Sequence, residues 1–338
     1  MIHADSEPIS LLTTSIDPRR DALARWLDDR YPGERIALAP ASEDASFRRY
    51  WRASFADGRT LVAMDAPPGK EDCRPFVHVA RLLAEAGLNA PAIHAQDLAQ
   101  GFLLLTDLGT RTYLAELNDA TAPALFSDAT DALVRWQLAT RPGELPAYDE
   151  ALLRREMALF PEWFIGRHLG RDLADEQRDA LEKMCEALVR SALAQPGVYV
   201  HRDYMPRNLM VCAPNPGVLD FQDAVVGPIT YDVVSLVRDA FLSWQEEQVL
   251  DWTVRYWEKA RAAGLPVAGD FGEFWRAFEW MGLQRHLKVL GIFARINYRD
   301  GKPKYLADTP RFVGYARQVA RRYRELAPLA RLLDELSA

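Results

Sequence analysis

Cysteine is scarce in this chain. Cys73, Cys185 and Cys212 are the only three in 338 residues; they are odd in number, far apart and form no C-x-x-C pair. That excludes a disulfide framework and a cysteine-based zinc site, and it fits a reducing compartment. Positive charge is not in excess: the formal net charge is −7, which argues against general nucleic-acid binding and against an anionic membrane surface as partner. Long hydrophobic runs are missing too, since stretches such as "FLLLTDLG" are far too short to span a bilayer. The opening "MIHADSEPISLLTTSIDPRR" lacks the basic and apolar regions of a signal peptide. What is present, 49% hydrophobic and 26% charged residues, is the composition of a globular protein with a substantial core. The expectation is a cytoplasmic protein of one or two domains, with no obligate protein partner evident.

The order of patterns along the chain divides it. Asp17 as cap, Pro18 at the first helical position and Gly33 beyond the end mark a first helix. Strand-like runs follow: "RIALAP", "SFRRYWRASF" and "TLVAMDA". The last two are separated by Ala56-Asp57-Gly58-Arg59, a hairpin signal. A helix from about Arg74 to Ala86 precedes two further strands, "AIHAQDL" and "FLLLTDL". Beyond Gly109, helical spacing dominates over 122–140, 150–168, 175–194, 230–262, 270–297 and 310–336, broken by a β-rich island at 198–221. The expected fold is α+β: a β-rich nucleotide-binding lobe at 1–106 and a helical catalytic and substrate lobe at 107–338, sharing a ligand cleft.

The island carries the chemistry. "VYVHRDYMPRNLMV" has His201, Asp203 and Asn208 in H-x-D-x-x-x-x-N spacing, and "GVLDFQD" follows with Asp220. Two short strands, "LMVCA" and "GVLDF", joined by the turn-forming "PNPG", bring Asn208 and Asp220 to one end of a hairpin. A carboxylate can accept the proton of an attacking hydroxyl, which assigns Asp203 as the base. Asn208 and Asp220 are hard oxygen donors of the kind magnesium takes alongside phosphates and water. His201 is expected to brace the loop. Turn formation alone would explain Asp203 and Asn208 taken singly; the full set favours function.

"HRDYMPRNLM…GVLDFQDAVVGPITYDVVSLVRD" resembles the aminoglycoside phosphotransferase and choline kinase superfamily, in which an aspartate matching Asp232 braces the catalytic loop. "EDASFRRYWR", "MDAPP", "EWFIGRHLG" and "LQRHLKVLGIFARINYRDGKPKYLADTPR" resemble, more narrowly, the bacterial anomeric kinases of N-acetylmuramate and N-acetylglucosamine. The resemblance implies a protein-kinase-like bilobal fold, ATP and Mg2+ as cofactors, and phosphorylation of the sugar C1 hydroxyl to an α-1-phosphate in cell-wall recycling.

Two departures from the superfamily stand out. The loop "PASEDASFRRY" has no glycine to let backbone N–H groups approach phosphate, so Ser42 and Ser46 become phosphate candidates, against an ordinary polar turn. The strand where the superfamily keeps a lysine offers Met64 and Asp65 instead. Arg49, or failing it Arg48, is the candidate replacement, against an ion pair of Arg49 with Asp65 or Glu43. Adenine would be read near Leu105–Leu108, with Asp107 in that segment. On the substrate side, Glu162, Trp163 and Arg167 come from "PEWFIGRHLG", Arg285 and Lys288 from "LQRHLK", and Arg207 and Asp223 from the catalytic segment. Taken singly, each of the helical candidates is more often core packing or a solvated face. Two other functions compete: an aminoglycoside-type phosphotransferase, disfavoured by the mixed or basic substrate candidates, and a nucleotide-binding pseudokinase, disfavoured by the intact Asp203, Asn208 and Asp220.

Overall fold

The computed structural model describes residues 17–42, 47–239 and 241–336, and of Ser42 only the backbone. The chain divides into two compact units: residues up to 74 with 93–107, and residues 75–92 with 108–338.

The first unit is built on alternation. Helix α1 (Pro18–Asp28) starts where the Asp17 carboxylate accepts the Arg20 N–H at 3.1 Å. Strands β1 (Ile36–Ser42), β2 (Arg49–Phe55) and β3 (Thr60–Asp65) follow. Gly58, at φ 87, closes the turn between the latter two, with the Phe55 N–H bonded to the Arg59 carbonyl at 2.9 Å. After α2 (Arg74–Glu85) come β4 (Ile93–Asp97) and β5 (Phe102–Thr106), giving an antiparallel sheet in the order β1-β2-β3-β5-β4. Leu23, Trp26 and Leu27 of α1 bury against Ala53, Phe55, Ala63, Phe102 and Leu104, one side of the pleat.

The second unit contains α3 (Tyr113–Glu116), α4 (Ala122–Leu138), α5 (Glu150–Met157), a π-helix (Phe160–His168) and α6 (Asp175–Leu193). Then come β6 (Gly197–Val200), β7 (Leu209–Met210), β8 (Gly217–Val218), β9 (Val225–Pro228) and α7 (Tyr231–Val237). Helices α8 (Glu246–Ala262), α9 (Phe271–Asp300), α10 (Thr309–Arg322) and α11 (Ala327–Leu336) complete it. The β-rich first unit and mainly helical second are the α+β arrangement expected. No helix among the described residues is long and apolar enough to cross a membrane. Helix α2, read from sequence as part of the N-terminal lobe, lies almost wholly in the second unit, where Phe76 packs tilted against Phe221 with centroids 4.6 Å apart.

Three long helices expected from periodicity are each divided. The 230–262 stretch breaks after α7 without glycine or proline. Arg238 leaves helical geometry at φ −118 and reaches Glu279, while Trp244 packs edge-on against Phe126 and Trp252. The 310–336 stretch breaks at Tyr323, whose hydroxyl donates to Glu279 at 2.6 Å. The 150–168 stretch widens into the π-helix where α9 lies against it: a Cβ on Gly291 would sit 2.4 Å from the Leu159 carbonyl carbon. Backbone cannot yield as a flexible side chain can. Gly291→Ala is therefore expected to destabilise the protein by about 1–3 kcal/mol, read as a lowered melting temperature.

Candidate active site

Strands β6 and β9 pair antiparallel, from Gly197 opposite Pro228 to Val200 opposite Val225, a pairing not read from the sequence. The catalytic loop leaves the end of β6. Asp232, fully buried on α7, accepts the backbone N–H of His201 at 2.6 Å and of Arg202 at 3.0 Å. Burial pushes its carboxyl up to about 7, although those two N–H groups pull the other way. The His201 ring accepts the Asp203 N–H on Nδ1 at 3.2 Å. Burial pulls that imidazole down to about 4, so it is neutral at pH 7.

The loop closes on itself through Asn208. Its Nδ2 donates to the Asp203 carbonyl at 2.9 Å and lies 3.4 Å from Asp220 Oδ2. Its carbonyl accepts the Leu219 N–H at 2.9 Å, locking β7 to the segment before Asp220. The second strand is shorter than expected: it ends at Val218, and Asp220 stands beyond it at φ 61, with Gln222 Nε2 on its Oδ1 at 2.9 Å. The three expected groups are thus brought together. The Asn208 amide nitrogen thus faces both the Asp203 carbonyl and the Asp220 carboxylate, and an amide next to a carboxylate is a donor set of the hard-oxygen kind that magnesium takes. Among the described residues no group of three or more His, Cys, Asp or Glu side chains could hold a metal ion by itself.

In the first unit, Arg49 stands opposite Asp65 across β2 and β3. Its guanidinium pairs with the fully buried Asp65 at 2.6 Å and with Asp17 at 2.5 Å, while Arg19 holds the other Asp65 oxygen. The Asp17 contact, outweighing burial, raises the Arg49 pKa. The structure thus places Arg49 in the ion-pair arrangement, with one of the two partners considered, on the side of the sheet that faces α1. The buried Met64 alternates to the opposite side with Tyr50 and Arg52. Arg52 grips the Asp107 carboxylate through two bonds, 2.6 and 3.1 Å. Leu105 is buried on β5, and Arg48 is half-buried just before β2. Ser46 and the side chain of Ser42 lie outside the described residues.

On the substrate side, Glu162 and Arg167 are exposed on the π-helix, with Trp163 half-buried. The i→i+5 bonding of a π-helix sets Glu162 and Arg167 about one turn apart, so they share a face. Arg207 is exposed, its guanidinium 5.3 Å from the Phe241 ring, and Asp223 is exposed beside Gln222. Lys288 is turned inward: its ammonium pairs with Glu156 at 2.9 Å and donates to Tyr231 at 3.0 Å. Arg285 is 3% exposed, near enough to Asp232 to favour its charged form. Glu156, Arg202, Tyr148 and Tyr231 were missed by sequence reasoning; the only signal was the arginine between His201 and Asp203.

The sequence matches the phosphotransferase enzyme family, APH, over residues 37–266, and the chain belongs to that family. It is 54% identical over 332 residues to the N-acetylmuramate/N-acetylglucosamine kinase of Pseudomonas putida, covering 95% of this chain and 98% of that protein. The same-named protein of Neisseria meningitidis is 52% identical over 322 residues, covering 94% and 96%. Among solved structures, ADP-bound aminoglycoside phosphotransferase APH(2'')-Ib superposes with a TM-score of 0.58 at 16% identity, over 87% of this chain and 97% of that one. The gentamicin complex of APH(2'')-IIa gives 0.60 at 14% identity, over 89% and 97%. At these identities the likeness shows the fold alone, the kinase-like fold of the aminoglycoside phosphotransferases. The protein is a phosphotransferase enzyme.

Two expectations follow. Asp232→Ala would strand two buried N–H groups, so roughly 2–5 kcal/mol of stability is expected to go, measured by urea unfolding. Arg49→Ala is expected to lower the melting temperature while leaving nucleotide affinity within about twofold, measured by calorimetry.

Proposed function

We propose that the protein is an ATP-dependent sugar kinase that phosphorylates the C1 hydroxyl of N-acetylmuramate and N-acetylglucosamine, giving the α-1-phosphate for cell-wall recycling in the cytoplasm. The observation that carries the reading is identity above one half, across nearly the whole chain, with kinases named for these two sugars. Three free cysteines suit a reducing compartment. The aminoglycoside-binding neighbours lend the fold but, at their low identity, no substrate.

In this reading the C1 hydroxyl oxygen bonds to the γ-phosphorus as the bond to the ADP oxygen breaks. Asp203 orients the hydroxyl and takes its proton. Asn208 and Asp220 would hold magnesium, which would supply positive charge against the charge developing in the transfer. The first unit supplies the nucleotide contacts: backbone near Leu105–Asp107 for adenine, Met64 beneath it, and the loop at Ser42 and Ser46 with Arg48 for phosphate. Arg48 alternates to the Met64 side, which recommends it over Arg49. Glu162, Trp163, Arg167, Arg207, Asp223 and Arg285 are the sugar-side candidates.

Incubation with magnesium-ATP and each sugar, followed by ADP release and phosphorus NMR of the product, tests this. Turnover on the N-acetyl sugars, an anomeric phosphate and loss of turnover without magnesium are expected. Asp203→Asn should lower kcat by about 10²–10⁴-fold with nucleotide binding largely kept. Turnover of gentamicin but of neither sugar would overturn the reading.

A further inference from the structure

Arg202 sits between His201 and Asp203 in the left-handed region, at φ 74, which costs an L residue about 1–2 kcal/mol. Such a residue persists only where its surroundings over-determine it. Its backbone N–H is held by Asp232. Its side chain is held separately: Nη2 donates to Glu156 at 2.5 Å, Nη1 to the Asp223 carbonyl at 3.4 Å, and the guanidinium lies 5.8 Å from the Tyr148 ring.

Glu156 is 6% exposed. One oxygen takes both Arg202 and Lys288; the other accepts the Tyr148 hydroxyl. Tyr231, which accepts from Lys288, packs edge-on against Tyr148 at 5.3 Å and directly precedes Asp232. The cluster therefore grips Arg202 from α5, with Lys288 of α9 on the same carboxylate, while α7 grips its backbone. Burial would push the Glu156 carboxyl up, but Lys288 and Arg202 outweigh it and hold it below the usual range. Burial likewise works against the Lys288 charge, and Tyr231 and Glu156 raise its pKa regardless. One carboxylate between two cations leaves a single buried positive charge.

We propose that Glu156 is a positioning residue for Asp203, acting through Arg202, and that Lys288 is the second cation of this cluster and not a ligand of the sugar. The proposal rests on the reading of Asp203 as the base. Asp203 follows Arg202 by one peptide bond, so the angle at which its carboxylate leaves the loop depends on the conformation the cluster enforces. A misplacement of about 1 Å at such a group costs on the order of 10²-fold in rate.

The test uses Glu156→Gln, Lys288→Met and their combination in the full chain. For Glu156→Gln, kcat should fall about 30–100-fold while KM for sugar and for ATP stays within about threefold, a split that general loosening does not produce. Lys288→Met should lower kcat less and leave sugar KM within about threefold. The glutamine variant leaves two cations uncompensated; removing Lys288 as well restores a single positive charge, so the double variant should recover part of the lost kcat. Glu156→Gln folded with kcat within about twofold of wild type would overturn the proposal. So would Lys288→Met raising sugar KM more than about tenfold at unchanged kcat. If Glu156→Gln does not fold, the other two variants decide. If the wild-type protein turns over neither sugar, the sugar reading alone fails, and the same variants are ranked by slow magnesium-ATP hydrolysis.

Discussion

Two consecutive backbone N–H groups that point into the interior must find an acceptor, because a buried donor left alone costs about 1–3 kcal/mol. At the end of β6 that acceptor is one carboxylate, Asp232, with an oxygen for each of His201 and Arg202. Everything chemical in the second unit hangs from this pair of bonds. They hold Arg202 left-handed, His201 then receives the Asp203 N–H, and the Asp203 carbonyl receives Asn208. Asn208 in turn meets Asp220. Asp203, Asn208 and Asp220 come together through backbone bonds and the Asn208 amide, which leave the loop few other shapes.

The first unit solves a different problem, the placing of opposite charges on a small sheet. Met64 and Asp65 are neighbours in sequence and opposites in the pleat. Asp65 turns towards α1 and is neutralised by Arg19 and Arg49, so its negative charge is kept from the side that Met64 shares with Tyr50 and Arg52. An aspartate that looked harmful to phosphate binding in the linear sequence is thereby removed from that side by the alternation of the strand.

What could be read in advance follows from which signals are local. The five strands and their hairpin, the cap at Asp17 and the spacing of His201, Asp203 and Asn208 are written within a few residues each, and the structure has them where the pattern put them. The break after α7 was not legible, since no glycine or proline marks it, and the one at Tyr323 was signalled only by Pro328, five residues on. Both are set by Glu279, remote in sequence from either. The π-helix starts where Gly291, more than a hundred residues away, lets α9 approach the Leu159 backbone. Arg49 read as an even choice between phosphate and an ion pair, and contact with Asp17 and Asp65 places it in the pair. Glu156 gave no warning: in "LLRREM" it looks like any charged residue on a wet helix face, and only the tertiary fold shows it buried between cations.

The path of the chain has a consequence of its own. Residues 75–92 belong to the second unit, although strands of the first precede and follow them. The polypeptide therefore passes from one unit to the other at three places, like a seam sewn through and back before it is finished. No single cut releases the β-sheet unit intact, and a ribosome finishes all five of its strands only after the α2 segment of the other unit has already emerged. The sheet can close early, but α2 must wait for Phe221, a partner synthesised more than a hundred residues later. Burial of α2 is thus tied to synthesis of the segment that carries the catalytic loop and Phe221.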